Sequence, residues 1–153
     1  MAIGLVTSVR QIVNALMQNG LHQRLPIHGS AQYFAMISHL QRAFASVPIG
    51  QERFHVIFLD PNRTYLGDGV VAGGSSMHLP VRLRDLFSRA LQIGAGGLIL
   101  AHNHPSGNCR PSGKDIAATN RMVEIGKALD IEIFDHLIFA REKIYSMRAG
   151  GKL

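Results

Sequence analysis

Within AHNHPSGNCRPSGKD, residues 101–115, a wholly apolar run gives way to two histidines in alternate positions, His102 and His104. On an extended chain alternate side chains point to the same side, so both imidazoles face one way. Neutral imidazole is a common metal ligand, and an HxH pair at a strand end forms a two-toothed clamp. Asp115 comes eleven residues after His104, with Ser112 ahead of it in an S-x-x-D arrangement. Pro105 and Pro111 restrict the intervening loop, while Gly107 and Gly113 permit sharp reversals, so the loop is able to fold back and set a carboxylate beside the two rings. Two neutral nitrogens and one carboxylate leave a tetrahedral Zn²⁺ with its fourth position open to water, the pattern of catalytic rather than structural zinc. S-x-x-D before a helix is also a variant of the capping box, and the two readings are compatible: Ser112 caps while Asp115 ligates.

These side chains need a rigid support. Leu98–Ala101 is short and wholly apolar, as a buried central strand should be. After the polar loop, a helix is expected from Gly113 to Leu129, then strands over Ile131–Ala140 and Lys143–Met147 joined by a tight turn at Ala140–Glu142. Upstream, Phe54–Leu59 is β-rich and ends at Asp60-Pro61-Asn62-Arg63, a strong turn signal. Thr64–Ala72 continues as a second strand with Gly67 and Gly69 as a bend or bulge, and Gly73–Ser76 reads as a loop. Val81–Ile93 is an amphipathic helix through Leu83, Leu86, Phe87, Ala90 and Leu91, closed by Gly94. The expected class is mixed α/β, a central sheet with helices packed on it.

The texture changes near Pro48–Gly50, which divides an N-terminal helical segment, residues 1–47, from a domain over 48–153. In the first part Ile12, Val13, Leu16 and Met17 recur at helical spacing up to Asn19-Gly20. A second helix begins after Ser30, which caps it, and carries Tyr33, Phe34, Ile37, Leu40 and Phe44 on one side.

Composition bounds the class. The 153 residues are 46% hydrophobic and 17% charged, which excludes a disordered chain. A single cysteine, Cys109, excludes an internal disulfide and favours a reducing, cytoplasmic compartment. No apolar run approaches the roughly 18 residues that cross a bilayer, and the first residues do not read as a signal peptide, so no membrane is expected. A net charge of +6 makes an acidic partner such as nucleic acid plausible, but the basic residues are scattered, as on an ordinary solvated surface. The glycine pairs lack the spacing of phosphate-binding loops, and the zinc-deaminase signature H-x-E…P-C-x-x-C is absent.

His102-x-His104, seven residues, Ser112, two residues and Asp115 resemble the JAMM motif of the JAB/MPN metalloproteases, and HNHPSG…PS..D is similar specifically to the RadC branch. The likeness extends to Glu52 ahead of FHVIFLD, to Leu59-Asp60 and to Asp135-His136, and covers roughly Gly50 to Gly150. Two features depart from the family: no helix-hairpin-helix pattern is read in the first 45 residues, and the usual Pro-Arg after the second strand reads Leu-Pro-Val-Arg. The resemblance implies a JAB/MPN-like mixed sheet flanked by helices, related to the cytidine-deaminase-like architecture. It implies one Zn²⁺ per chain on His102, His104 and Asp115, with Glu52 as general base and acid and Ser112 as donor to the oxyanion or guide for the water. The implied reaction is hydrolysis of a peptide or isopeptide bond in a protein substrate, such as the tail of a ubiquitin-like modifier. A rival from another class is a DNA-repair or mobile-element accessory that uses its basic surface on nucleic acid or protein and keeps a structural or vestigial metal site.

Several residues carry weaker expectations. Cys109 is either a loop residue pointing away, or a thiolate that approaches zinc and displaces the water, or a redox-sensitive site. Asp135-His136 either orients groups behind the ligands or bonds within the sheet. His22, His28, His39, His55 and His78 show no ligand pattern and are expected at the surface or core edge. The N-terminal helices either cover the cleft or build a homodimer.

Overall fold

Phe54, Val56 and Phe58 alternate along one strand with His55, Ile57 and Leu59, and both sets are buried. A strand covered on both faces belongs inside a three-layer arrangement, helices on either side of a sheet. The computed structural model, which describes residues 31–74 and 81–153, has this form. The expected helix through Ile12–Met17, the capping Ser30, and His22, His28 and His78 lie outside those residues.

The sheet contains β1 (Glu52–Leu59), β2 (Tyr65–Gly74), β3 (Gly97–Asn103), β4 (Glu132–Ala140) and β5 (Lys143–Ser146), in the order β2-β1-β3-β4-β5. β3 is central, antiparallel to β1 and parallel to β4, while β2 and β5 pair antiparallel at the two edges. The parallel pair requires a crossover, which α3 (Gly113–Ala128) provides. α2 (Leu83–Gln92) and α3 cover one face, where Leu86, Phe87, Ala90 and Met122 pack on Phe54, Val56, Phe58, Leu98 and Leu100. α1 (Ala31–Ala45) covers the other, with Met36, Ile37 and Leu40 against Ile57, Leu59, Ile99, Ala101, Leu137 and Phe139. The mixed α/β class expected from the sequence is therefore what the chain adopts.

β2 differs from expectation in two details. Gly67 and Gly69 pair in register with Phe58 and Val56, and the extra, bulged residues are Leu66 and Val71. β1 must keep both its faces in the core, so the edge strand absorbs the mismatch at side chains that remain partly exposed. Gly73 and Gly74 are not loop but complete the ladder opposite Arg53 and Glu52, because the first backbone groups of β1 need partners.

Candidate metal centre

His102 lies on β3 in the same alternation as Leu98 and Leu100, so it faces the α2–α3 side, where its ring stacks on Phe54 at 5.9 Å. His104 follows the strand end, yet its amide still bonds the Phe139 carbonyl at 2.7 Å, which keeps the chain straight. The turn beyond it needs Gly107: its φ is +85°, and a Cβ there would meet the Arg141 guanidine at 3.1 Å. The loop delivers Ser112 as the N-cap of α3. The Ser112 hydroxyl accepts from the Asp115 amide, and the Asp115 carboxylate accepts from the Ser112 amide at 2.7 Å, a complete capping box. Asp115 is thereby held over the strand end in the first turn of the helix.

The three side chains converge. His102 Nε2 and His104 Nε2 are 2.9 Å apart, Asp115 Oδ1 is 3.3 Å from the first and Oδ2 is 3.2 Å from the second. Ligands about 2.0–2.1 Å from a tetrahedral zinc stand about 3.4 Å from one another. The donor set and its spacing fit such an ion.

The hydrogen bonds behind the rings give a stronger test. His104 Nδ1 faces the Asn108 carbonyl at 2.7 Å, so that nitrogen carries the proton. Thr119 donates its hydroxyl to the Asp115 carbonyl at 2.7 Å and so accepts from His136 Nδ1, also at 2.7 Å. The other nitrogen of His136 is then bare, because burial pushes the His136 pKa well below the usual value and the ring stays neutral. That bare Nε2 accepts from His102 Nδ1 at 2.7 Å. Both ligand rings therefore have their protons on the far nitrogen, and two lone pairs and a carboxylate point at one place. A cation satisfies that place. In its absence a proton does so: hydrogen bonding to Asp115 raises the pKa of His104 against the opposing effect of burial, with the Asn108 carbonyl and Glu52 adding to the rise. Burial would lift the Asp115 carboxyl, but the two imidazoles beside it and the Ser112 amide hold it well below the usual carboxylate range.

His136 reaches this site because of a bulge. Leu98 pairs with Ile133 but Ile99 pairs with Asp135, so Phe134 is the extra residue and the alternation of β4 reverses there. Its ring lies where a Cβ on Gly97 would be, which requires glycine at the start of β3. Of the two expectations for Asp135-His136, each residue meets one. His136 stands behind His102, while Asp135 accepts from its neighbour's amide, Ser146 Oγ and the Arg148 amide within the sheet. Thr119 went unremarked in the sequence, although it lies one helical turn after Asp115 and so shares its face.

Glu52 opens β1 across from the end of β3. Asn103 fastens the two strands, accepting from the Arg53 amide at 2.7 Å and donating to the Gln51 carbonyl at 2.9 Å. Glu52, Ser112 and the three converging side chains line one cleft of about 730 Å³, walled by Phe54, Val81, Leu83 and Met122. Arg110, Lys114 and Arg121 also line it.

A family model for the RadC-like JAB domain matches residues 28–152. The chain belongs to the RadC-like JAB domain family. Over 146 residues, 94% of its length, it is 37% identical to a UPF0758 protein of Rhodobacter capsulatus, and over 103 residues it is 39% identical to a UPF0758 protein of Cyanothece sp.. The matches span 66% and 42% of those relatives' own lengths, the second drawing on 67% of this chain.

Within this RadC-like domain Cys109 is half-buried and lies outside both the cleft lining and the groups of metal-type donors. His39 and His55, expected at the surface or core edge, come together with Asp68 on the α1 side of the sheet. Their spacing along the chain gives no hint of this, since each stands on a different element. Among the described residues no helix is long and apolar enough to cross a membrane.

Proposed function

We propose that this chain is a zinc-dependent metallopeptidase or isopeptidase, with His102, His104 and Asp115 as ligands of one Zn²⁺. The observation that carries this reading is the convergence of two Nε2 atoms 2.9 Å apart beside a carboxylate, with a hydrogen-bond partner behind the far nitrogen of each ring. A bound Zn²⁺ supplies Lewis acidity, polarising a carbonyl and bringing the pKa of water to about 7.

Glu52 takes the proton from the attacking water and returns it to the leaving amine as the C–N bond breaks. Ser112 has one hydroxyl proton, which goes to Asp115 Oδ2 at 2.8 Å; the Ser112 amide holds the same oxygen at 2.7 Å. The hydroxyl is thus free to turn to the oxyanion of the scissile carbonyl without releasing the carboxylate. Arg110, Lys114 and Arg121 suit a substrate segment with acidic side chains or a free C-terminus, such as the tail of a ubiquitin-like modifier. The lone cysteine supports a cytoplasmic setting. Residues 48–153 carry the residues of the hydrolase cleft; α1 packs on the opposite face of the sheet and does not cover it, which leaves a homodimer as the role proposed for the segment ahead of it.

A substrate trap tests this. Zinc-loaded Glu52→Gln protein is incubated with lysate from its own source, with His104→Ala as the metal-free control. A protein enriched only on the metal-loaded trap, and cut when wild type is added, establishes the hydrolase. Partners lost on nuclease treatment and indifferent to His104 would instead establish a nucleic-acid accessory.

A further inference from the structure

We infer that His39, His55 and Asp68 form a second, weaker site for a divalent transition metal, which fastens α1 to the β1–β2 hairpin. This site is separate from the first, since its residues stand on the opposite face of the sheet. His55 alternates with Phe54 on β1, and Asp68, paired with Ile57 across the hairpin, points to the same side as His55. His39 comes down from α1 onto that side. His39 Nε2 and His55 Nε2 lie 2.8 and 2.5 Å from the same oxygen, Asp68 Oδ2. Three donors of metal-ligand type, from three elements, therefore meet at one point.

The carboxylate is oriented as in a metal site. Tyr65 donates its hydroxyl to Asp68 Oδ1, which leaves Oδ2 to face the two rings. Burial would lift the Asp68 carboxyl, but the hydrogen bonds from His39, His55 and Tyr65 hold it well below the usual range, so it is an anion. His39 and Asp68 keep 22% and 14% of their side-chain surface, which gives an ion entry and a place for water as a further ligand.

Affinity is limited by one atom. His55 Nδ1 is buried with no hydrogen-bond partner. With no metal present, the ring carries its proton on Nε2 and gives it to Asp68, so Nδ1 is an unpaired acceptor. Metal on Nε2 forces the proton onto Nδ1, a buried donor without an acceptor. Each ring of the first site has an acceptor for that far proton and His55 has none, which makes this site weaker than the first by about ten- to a hundredfold.

The test is a Co²⁺ titration of the chelator-treated full chain, read by its visible absorption and by equilibrium dialysis. Wild type is expected to bind two ions in two separable steps. His39→Asn, at a partly exposed position on α1, should bind one and lose the weaker step, as should Asp68→Asn. His104→Ala should lose the tighter step and retain the weaker. Unfolding with metal should show a rise in Tm at the second step that is missing in His39→Asn. One ion in both wild type and His39→Asn would overturn the second site, and retention of the tighter step in His104→Ala would overturn the first instead.

Discussion

Two clusters with the same composition, two histidines and an aspartate, stand on opposite faces of one sheet. In the α2–α3 cluster the far nitrogen of each ring donates to a fixed acceptor, His136 for His102 and the Asn108 carbonyl for His104. In the α1 cluster the far nitrogen of His55 meets nothing, although the carboxylate there is held by Tyr65 as that of the first cluster is by Ser112. Protons on the near nitrogens therefore complete the second cluster, each ring donating to Asp68, whereas in the first both ring protons are turned away and a cation or a further proton must stand between the two Nε2 atoms. The ligand list does not distinguish a strong metal site from a hydrogen-bonded clasp; the destination of the remote proton does.

The largest effect should come from Asp115→Ala, which removes the anion from the first cluster. Loss of the zinc proposed there, with the ion proposed at the second cluster retained, measured by metal analysis after dialysis, is the expected result. Smaller, and more informative, is His136→Phe. It removes the acceptor behind His102 without touching a ligand, and zinc affinity at the first cluster should fall about 10–100-fold. Unchanged affinity would show that the remote proton does not decide the comparison. Thr119→Val should move affinity in the same direction, because it frees His136 to change tautomer.

On the other face, Asp68→Asn in metal-free protein should cost about 2 kcal/mol at pH 7, since charged hydrogen bonds are lost. The folded pKa of Asp68 is depressed, so its contribution is fully present above the unfolded value of about 3.9 and fades as pH falls below it. In urea denaturation the gap between the two proteins should thus hold down to about pH 4 and narrow progressively as pH falls from there towards the depressed folded value. The smallest effect belongs to Cys109→Ser: zinc content unchanged and stability within about 0.5 kcal/mol, as suits a residue outside both clusters.

Local rules were enough to read much of this molecule from its residues. The apolar run at 98–101, the turn at 60–63 and the cap at Ser112 are decided within a few positions, and the structure has a strand, a turn and a helix start in those places. His102, His104 and Asp115 were legible for the same reason: strand parity aims the two rings and the capping box aims the carboxylate. Glu52 was legible only through family likeness, because its approach depends on β1 and β3 pairing across 50 residues, with Phe54 opposite His102.

Tertiary structure alone decided the rest. Continued alternation from Ile131 and Ile133 would have turned His136 away from His102, and the bulge at Phe134, seated over Gly97, reversed it. His39, His55 and Asp68 share no periodicity, and they meet because α1 packs on the sheet and the β1–β2 register sets Asp68 diagonally beside His55. Sequence determines which way a side chain points from its own strand or helix, since that follows from backbone geometry over a turn or two. Which side chains then share a proton or an ion depends on register and bulges, and those are settled by burying both faces of the sheet at once.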